Sequence, residues 1–375
     1  MQFAKCGREI NVRSNTLKVG ELDEIIESLH RDTDCQFADF SHITLTASHV
    51  KMLKQFLTAN KVLIGLSLNS TGFNAGMVQE LAQALKGEGS GKANTTLVDI
   101  DLSDNPGIND RGAQNLSEVL LEISKNNTRG GLRCLSMSNT GLTVDGVRAL
   151  CLGLLASDSL EVLELENCQM DCSPSAVVDD PLKACDKAVS SISSMLQCNT
   201  RLCFLSLANC RLCTRSVGAL ATEIEFHEGL EGLDLSRNPF AAGGMDLMAQ
   251  GIQNLRYLSL SAVNMCSTGF TQLLRALKEN SALNELDVTH NFVQKIDGKV
   301  FREFNQKNTT LRKIDLRWNR LSPEVCESLS HAFTSRTKAV IIGRKQHQGS
   351  GSLRQLASRV GVSSGLCRSW LTGRT

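Results

Sequence analysis

Apolar residues fall into one short pattern nine times along the chain. LIGLSLNSTGF from Leu63, LVDIDLSDNPGI from Leu97 and LRCLSMSNTGL from Leu132 open the series. LEVLELENCQM from Leu160, LCFLSLANCRL from Leu202, LEGLDLSRNPF from Leu230, LRYLSLSAVNM from Leu255, LNELDVTHNFV from Leu283 and LRKIDLRWNRL from Leu311 continue it. The common form is L-x-x-L-x-L-x-x-[N/C/T]-x-L, with start-to-start intervals of 34, 35, 28, 42, 28, 25, 28 and 28 residues. The L-x-L alternation has the period of a strand. After each copy the period changes to about 3.6, as in GMVQELAQALK, RGAQNLSEVLLEISK, VDGVRALCLGLL and STGFTQLLRALKEN, which predicts a helix. Asp110, Thr143, Ser267 and Ser322 stand where an N-cap is expected, and Pro323 stands at a first helical position. Each unit therefore reads strand, turn, helix, loop.

The ends decay, as the ends of repeat arrays do. Cys35, Ala38, Phe40, Ile43 and Leu45 lie 28 residues before their counterparts in the first full copy, and Ala339 of KAVIIGRK lies 28 after Leu311. The expected organisation is a helical N-terminal cap over 1–34, a repeat array over 35–346 with about nine full repeats between degenerate caps, and a basic, Gly- and Ser-containing tail over 347–375. The tail carries Arg354, Arg359, Arg368 and Arg374 without a carboxylate.

The repeat resembles the leucine-rich repeats of the ribonuclease-inhibitor class, over about Cys35 to Lys345. That resemblance implies an α/β fold: a right-handed solenoid, or horseshoe, with a parallel β-sheet on the concave face and α-helices on the convex face. The physics agrees, because strands stack at about 4.8 Å and helices at about 8–10 Å, so stacked coils bend towards their strands. In this class the ninth position turns inward and meets buried turn backbone. Thr71, Asn105, Thr140, Cys168, Cys210, Asn238, Val263, Asn291 and Asn319 occupy it. A site shared by Asn, Thr and Cys satisfies backbone groups; it does not react. Val263 departs from the pattern, and Asn264 beside it is the expected substitute.

The chain has 375 residues, with 40 basic and 39 acidic side chains, so its bulk charge points neither to nucleic acid nor to a membrane surface. Fourteen cysteines suggest a disulfide scaffold, but MQFAKCGREINVRSN contains no apolar signal core, and no run reaches the roughly 20 residues that span a bilayer. Free thiols in the cytoplasm, a reducing compartment, are the expectation. Cys168-x3-Cys172 and Cys210-x2-Cys213 sit in successive repeats, yet structural zinc needs four converging ligands, and no metal or cofactor is expected. KGEGSGKANTT at Lys86–Thr96 lacks a phosphate-loop glycine at 86 and has Ala93 where a magnesium-binding hydroxyl is required. The seven histidines have no nucleophile or acid at a recognisable spacing, so an enzyme is not expected.

Binding is expected on the strands. Positions three, five, seven and eight of each repeat alternate away from the core. They bring Asp99, Asp101, Glu164, Glu166, Asp234, Glu285, Asp287 and Asp315 onto one face, together with the aromatic residues Phe204, Tyr257 and Trp318. These acids imply a partner with a basic segment, and the rings would be its anchors. The function read from the sequence is non-catalytic protein binding, as a scaffold, adaptor or inhibitor. A GTPase regulator of the Ran GTPase-activating type and a component of a cytoskeletal or flagellar assembly are the alternatives. An insertion at Cys172–Lys187, carrying Pro174 and Pro181, reads as a loop. The partner's identity and the oligomeric state are not legible.

Overall fold

The computed structural model describes residues 4–6, 9–12, 20–86, 94–125, 131–155, 157–170, 181–334 and 339–341. The basic tail over 347–375, most of the 172–187 insertion and much of the Lys86–Thr96 loop lie outside them. The chain divides into two compact units, one ending at Cys168 and the other beginning at Gln169. The break falls inside the longest repeat interval, the 42 residues between Leu160 and Leu202.

In the first unit, strands β1 (Ala4–Cys6), β2 (Glu9–Asn11), β3 (Phe37–Asp39), β4 (Gly65–Ser67), β5 (Asp99–Asp101), β6 (Cys134–Ser136) and β7 (Val162–Glu164) are joined through helices α1 (Glu21–Arg31), α2 (Ala47–Ala59), α3 (Ala75–Lys86), α4 (Asn109–Lys125) and α5 (Val144–Leu154). β1 and β2 pair antiparallel, and every later pair is parallel and in repeat register, as in Leu66 beside Ile100 and Leu135 beside Leu163. The N-terminal cap is thus a strand pair followed by one helix, rather than helix alone. Ile10 and Val12 are buried there, so the pair covers the core end of β3.

The second unit opens with α6 (Pro181–Cys198). It continues through β8 (Phe204–Ser206), α7 (Thr214–Phe226), β9 (Gly232–Asp234), α8 (Ala241–Gly251), β10 (Tyr257–Ser259), α9 (Ser267–Leu277), β11 (Glu285–Asp287), α10 (Gly298–Lys307), β12 (Lys313–Asp315), α11 (Pro323–Thr334) and β13 (Ala339–Ile341). Strands β8 to β13 pair in parallel. The insertion was expected to be a loop, but the chain is helical from Pro181, whose fixed φ suits a first helical position.

Positions one, four and six of each copy fill the core: Leu97, Ile100 and Leu102, or Leu230, Leu233 and Leu235, are essentially inaccessible. Two sets of side chains tie one coil to the next. At the ninth position, Asn238 accepts from the amides of Cys210 and Leu212, both at 3.0 Å, and its Nδ2 donates to the carbonyls of Leu207, Leu235 and Ser236 at 2.8, 2.9 and 3.3 Å. Asn105, Asn291 and Asn319 repeat this arrangement. Thr71 and Thr140 donate to a carbonyl three residues back, and the Cys210 thiol lies 3.5 Å from the Ala208 carbonyl. Val263 is buried and has no side chain to offer, but Asn291 of the next repeat accepts its amide; Asn264 is exposed with φ 63, so it does not take the ninth place.

The second set lies three residues before the first Leu and was not anticipated. Asn94, Asn280 and Asn308 each accept the amide of that Leu at 2.8–3.0 Å and donate to the carbonyl at the preceding helix exit at 2.7–2.9 Å. His227 does the same with Nδ1 accepting from Leu230 and Nε2 donating to the Asn199 carbonyl, which fixes its tautomer. Helix starts are also tied across repeats. Thr143 and Ser322 cap their own helices, but Asp110 accepts from Thr143 and Gly146 of the following helix, and Ser267 accepts from Gln294 and Lys295 of the following turn.

Candidate protein-binding face

The strand face contains the expected residues, but much of it is covered. Parallel strands about 4.8 Å apart let same-column side chains shield one another, so facing away from the core does not make a residue accessible. Asp99, Asp101, Asp234 and Asp315 are buried, and so are Phe204 and Tyr257. Phe204 lies across Gly232 of the next strand, where an added Cβ would sit 2.6 Å from the ring. Tyr257 packs in the field of Asp234, Asp287 and Glu285, and burial above all pushes its phenol well above the ordinary range. Trp318, at 45% exposure, is the one expected aromatic anchor that is open.

The fifth-position aspartates have a local task. Asp101 accepts from the Ser103 amide at 2.9 Å, Asp234 from Ser236 at 2.8 Å, Asp287 from Thr289 at 2.9 Å and Asp315 from Arg317 at 3.1 Å. Asp39 of the degenerate first copy does so with Ser41. Each carboxylate closes an Asx-turn at a strand end. Seventh-position hydroxyls then reach the fifth-position serine of the next strand: Ser41 to Ser67 at 2.8 Å, Ser103 to Ser136 at 2.6 Å and Ser236 to Ser259 at 2.6 Å. Alternating Asp with Ser keeps like charges from standing on adjacent strands, where they would repel. Asp287 and Asp315 are the adjacent pair in the second unit, and there the Arg317 guanidinium forks onto Asp315 at 2.6 and 2.9 Å. Glu285 is paired with Lys313 at 3.2 Å.

The first unit holds a second acidic group. Burial, with Asp101, Asp99 and Glu166 nearby, pushes the Glu164 carboxyl up to about 7 although Ser136 hydrogen-bonds to it. Burial also raises Asp101, against hydrogen bonds from Ser103 and Ser67, and Asp104 adds to the rise. Glu164 and Glu166 are half-buried and Asp104 is exposed. Asp104 was not among the expected site residues. Asn69 and Asn139 hold its two oxygens at 2.9 and 2.8 Å, and Asn167 extends the row to Asn139 at 2.6 Å.

Asp104, Asn139 and Asn167 occupy the eighth position, where the backbone is left-handed in repeat after repeat: His42, Ser70, Asp104, Asn139, Asn167, Asn209, Arg237, Ala262, His290 and Trp318 all have φ between 54 and 64. The frequent Asn and Asp of that column were the available signal, since these residues tolerate the left-handed region best. At Trp318 the conformation is an outlier for so bulky a residue. Its ring stacks on His290 at 5.5 Å and 20°. Two positions on, Phe292 is 41% exposed with the Arg320 guanidinium 4.8 Å above it.

Among the described residues no group of three or more His, Cys, Asp or Glu side chains is placed to hold a metal, and no helix is long and apolar enough to cross a membrane. Cys168 and Cys210 are fully buried. A family model described as Leucine Rich repeat matches residues 93–117 and 307–330. The matched segments are leucine-rich repeats, and the array is similar to that of ribonuclease inhibitor. Mouse NACHT, LRR and PYD domains-containing protein 14 is 27% identical over 309 residues, covering 76% of this chain and 30% of that protein. Pig ribonuclease inhibitor is 24% identical over 311 residues, covering 76% of this chain and 65% of the inhibitor. This leucine-rich-repeat chain therefore spans less than two thirds of either relative. A solved internalin from Listeria monocytogenes has a TM-score of 0.47 at 16% identity, over 87% of this chain and 90% of its own.

Proposed function

We propose that this chain is a non-catalytic protein-binding module that takes a basic segment of its partner onto the strand face of its first unit. The observation that carries the reading is the grouping of Asp99, Asp101, Glu164 and Glu166 at β5 and β7, where burial first, and these neighbouring charges after it, raise the Glu164 carboxyl to about 7. A cation from outside relieves that mutual repulsion, and complementary charge speeds encounter and fixes register. Pig ribonuclease inhibitor, a relative over most of this chain, is by name an inhibitor of another protein. The buried Cys151 thiol fits a reducing, cytoplasmic setting.

The test avoids the buried aspartates, because reversing Asp101 or Asp234 would break the turns they close. Twelve-residue peptides displayed on phage are selected on the full chain, and the recovered peptides should be rich in Lys and Arg. The double variant Asp104→Lys with Glu166→Lys should weaken their binding at least tenfold, about 1.4 kcal/mol. Recovered peptides without a basic bias, or indifferent to the double variant, would refute the reading.

A further inference from the structure

The turns after β11 and β12 carry two pairs of exposed planar groups. Asn291 and Asn319, the ninth residues, point inward and bond turn backbone. The residues flanking them point out: His290 and Phe292 in one turn, Trp318 and Arg320 in the next, all four exposed. The eighth and tenth residues of one turn lie at most about 7 Å apart along the chain, and neighbouring turns follow the strand spacing of about 4.8 Å. Within this quadrilateral the Trp318 ring stacks on His290 at 5.5 Å, and the Arg320 guanidinium lies 4.8 Å from the centre of the Phe292 ring. Even so, Trp318 remains 45% exposed and Phe292 41%. Trp318 also holds φ 61, a left-handed conformation that a bulky side chain adopts only under strain. Strain combined with open apolar surface stabilises nothing within the fold, and such residues gather where a protein grips another molecule.

The charge left open at this rim is positive. Arg317 forks onto Asp315 and also stands near Asp287, whose carboxylate accepts from the Thr289 amide; Glu285 is paired with Lys313. Asp297 caps α10 through the amides of Lys299 and Val300, and Glu324 accepts from the Ser322 hydroxyl. Arg320 and Lys295 are exposed and make no ion pair among the described residues.

We infer that this rim of the second unit takes an acidic segment of a protein partner, whose carboxylates meet Arg320 and Lys295 while one of its apolar side chains lies against Trp318 and Phe292. Exposed Trp and Arg side by side are the residues that most often dominate a protein interface. A nucleic-acid strand fits less well, because it carries a charge at every nucleotide and needs a continuous basic track. The preceding turn offers only Ala262 and Asn264 at the eighth and tenth positions. The inference goes beyond the first-unit site and does not need it.

The test keeps the two apart. Twelve-residue phage peptides are selected on the full chain and then depleted on the double variant Arg320→Glu with Lys295→Glu, so that the survivors depend on this rim. The survivors should be rich in Asp and Glu and carry an aromatic residue or Leu. As synthetic peptides they should shift Trp318 emission in the Trp370→Phe chain, which has no other tryptophan. Phe292→Ser or Arg320→Glu should weaken them at least tenfold, Arg320→Lys should weaken them less, and Asp104→Lys with Glu166→Lys should leave them unchanged. An unchanged thermal midpoint checks each variant; if Phe292→Ser lowers it, the exposed Arg320 pair of variants decides alone. Survivors without an acidic bias, acidic survivors that leave Trp318 emission unmoved, or no survivors at all would overturn the inference. So would an oligothymidylate, or vesicles of phosphatidylserine and phosphatidylcholine, that shift Trp318 emission more strongly than any peptide and lose the effect with Arg320→Glu. Acidic survivors that behave as expected, with no basic peptide recovered on the first unit, would sink the first-unit reading and leave this one standing.

Discussion

Replacing Asn238 by Ala removes one side chain and takes a hydrogen bond from each of five backbone groups, of which the Ser236 carbonyl keeps the Asn209 amide. The amides of Cys210 and Leu212 lose their acceptor, and the carbonyls of Leu207, Leu235 and Ser236 lose their donor. Cys210, Leu212 and Asn238 itself are fully buried. An orphaned buried polar group costs roughly 1–3 kcal/mol, so the two amides alone account for about 2–6 kcal/mol. The single Nδ2 group has two hydrogens for three carbonyls, so its loss adds about one or two further hydrogen bonds at roughly 1 kcal/mol each. Water entering the polar hole left behind returns part of this. The expected loss is about 3–5 kcal/mol, a large fraction of a domain's typical 5–15 kcal/mol. It should be confined to the second unit, because repeat arrays are stabilised by nearest-neighbour terms. Urea unfolding followed by Trp318 emission in a Trp370→Phe background reads that unit. Hydrogen exchange at the Cys210 and Leu212 amides should accelerate in step. Asn238→Thr, which copies Thr71 and Thr140, should lose visibly less. A loss below about 1 kcal/mol for the alanine variant would mean that the ninth position is not what holds the turns.

Other consequences are as direct. The Glu164 carboxyl is raised from 4.5 to about 7, so between those values the folded chain holds a proton that the unfolded chain has released. Stability should therefore fall as pH rises from about 4.5 to 7, and Glu164→Gln should flatten that slope in urea titrations; an unchanged slope would contradict the burial argument. A basic peptide on the first unit should bind more tightly at pH 8 than at pH 6, with proton release measurable by calorimetry in buffers of different ionisation heat. Gly232→Ala places a Cβ against the Phe204 ring and should cost about 1–3 kcal/mol, partly recovered by Phe204→Leu. Backbone amides of Gly269 and Thr268 lower the Cys266 thiol, while burial pushes Cys151 up to about 12. A short iodoacetamide pulse at pH 7.5 should therefore label Cys266 well before Cys151 by mass spectrometry.

The strands, the helices and the inward ninth position were legible because a hydrophobic period and a repeated polar residue carry them directly. The exposure of the strand face was not. It depends on what stands one repeat away, and Phe204 looked like an anchor until Gly232 beside it showed where its ring lies. The aspartates of the fifth position suggested a docking surface, yet their first partners are amides two residues on, which no charge count reveals. Asn94, Asn280 and Asn308 at the helix exits were visible as residues, but their spacing to the next Leu carries no hydrophobic signal. The left-handed column was hidden by Ser70, Arg237, Ala262 and Trp318, which a turn rule built on Asn and Gly passes over.

Between the two capping positions the count never changes. Asn60 to Thr71, Asn94 to Asn105, His227 to Asn238, Asn280 to Asn291 and Asn308 to Asn319 are each eleven apart, although the repeats themselves run from 25 to 42 residues. The arc between the caps acts as a calliper of fixed span, and every insertion or deletion has been accommodated elsewhere in the coil. Segments on the helical side can thus lengthen or shrink from one repeat to the next while the strand face keeps its ruling unaltered.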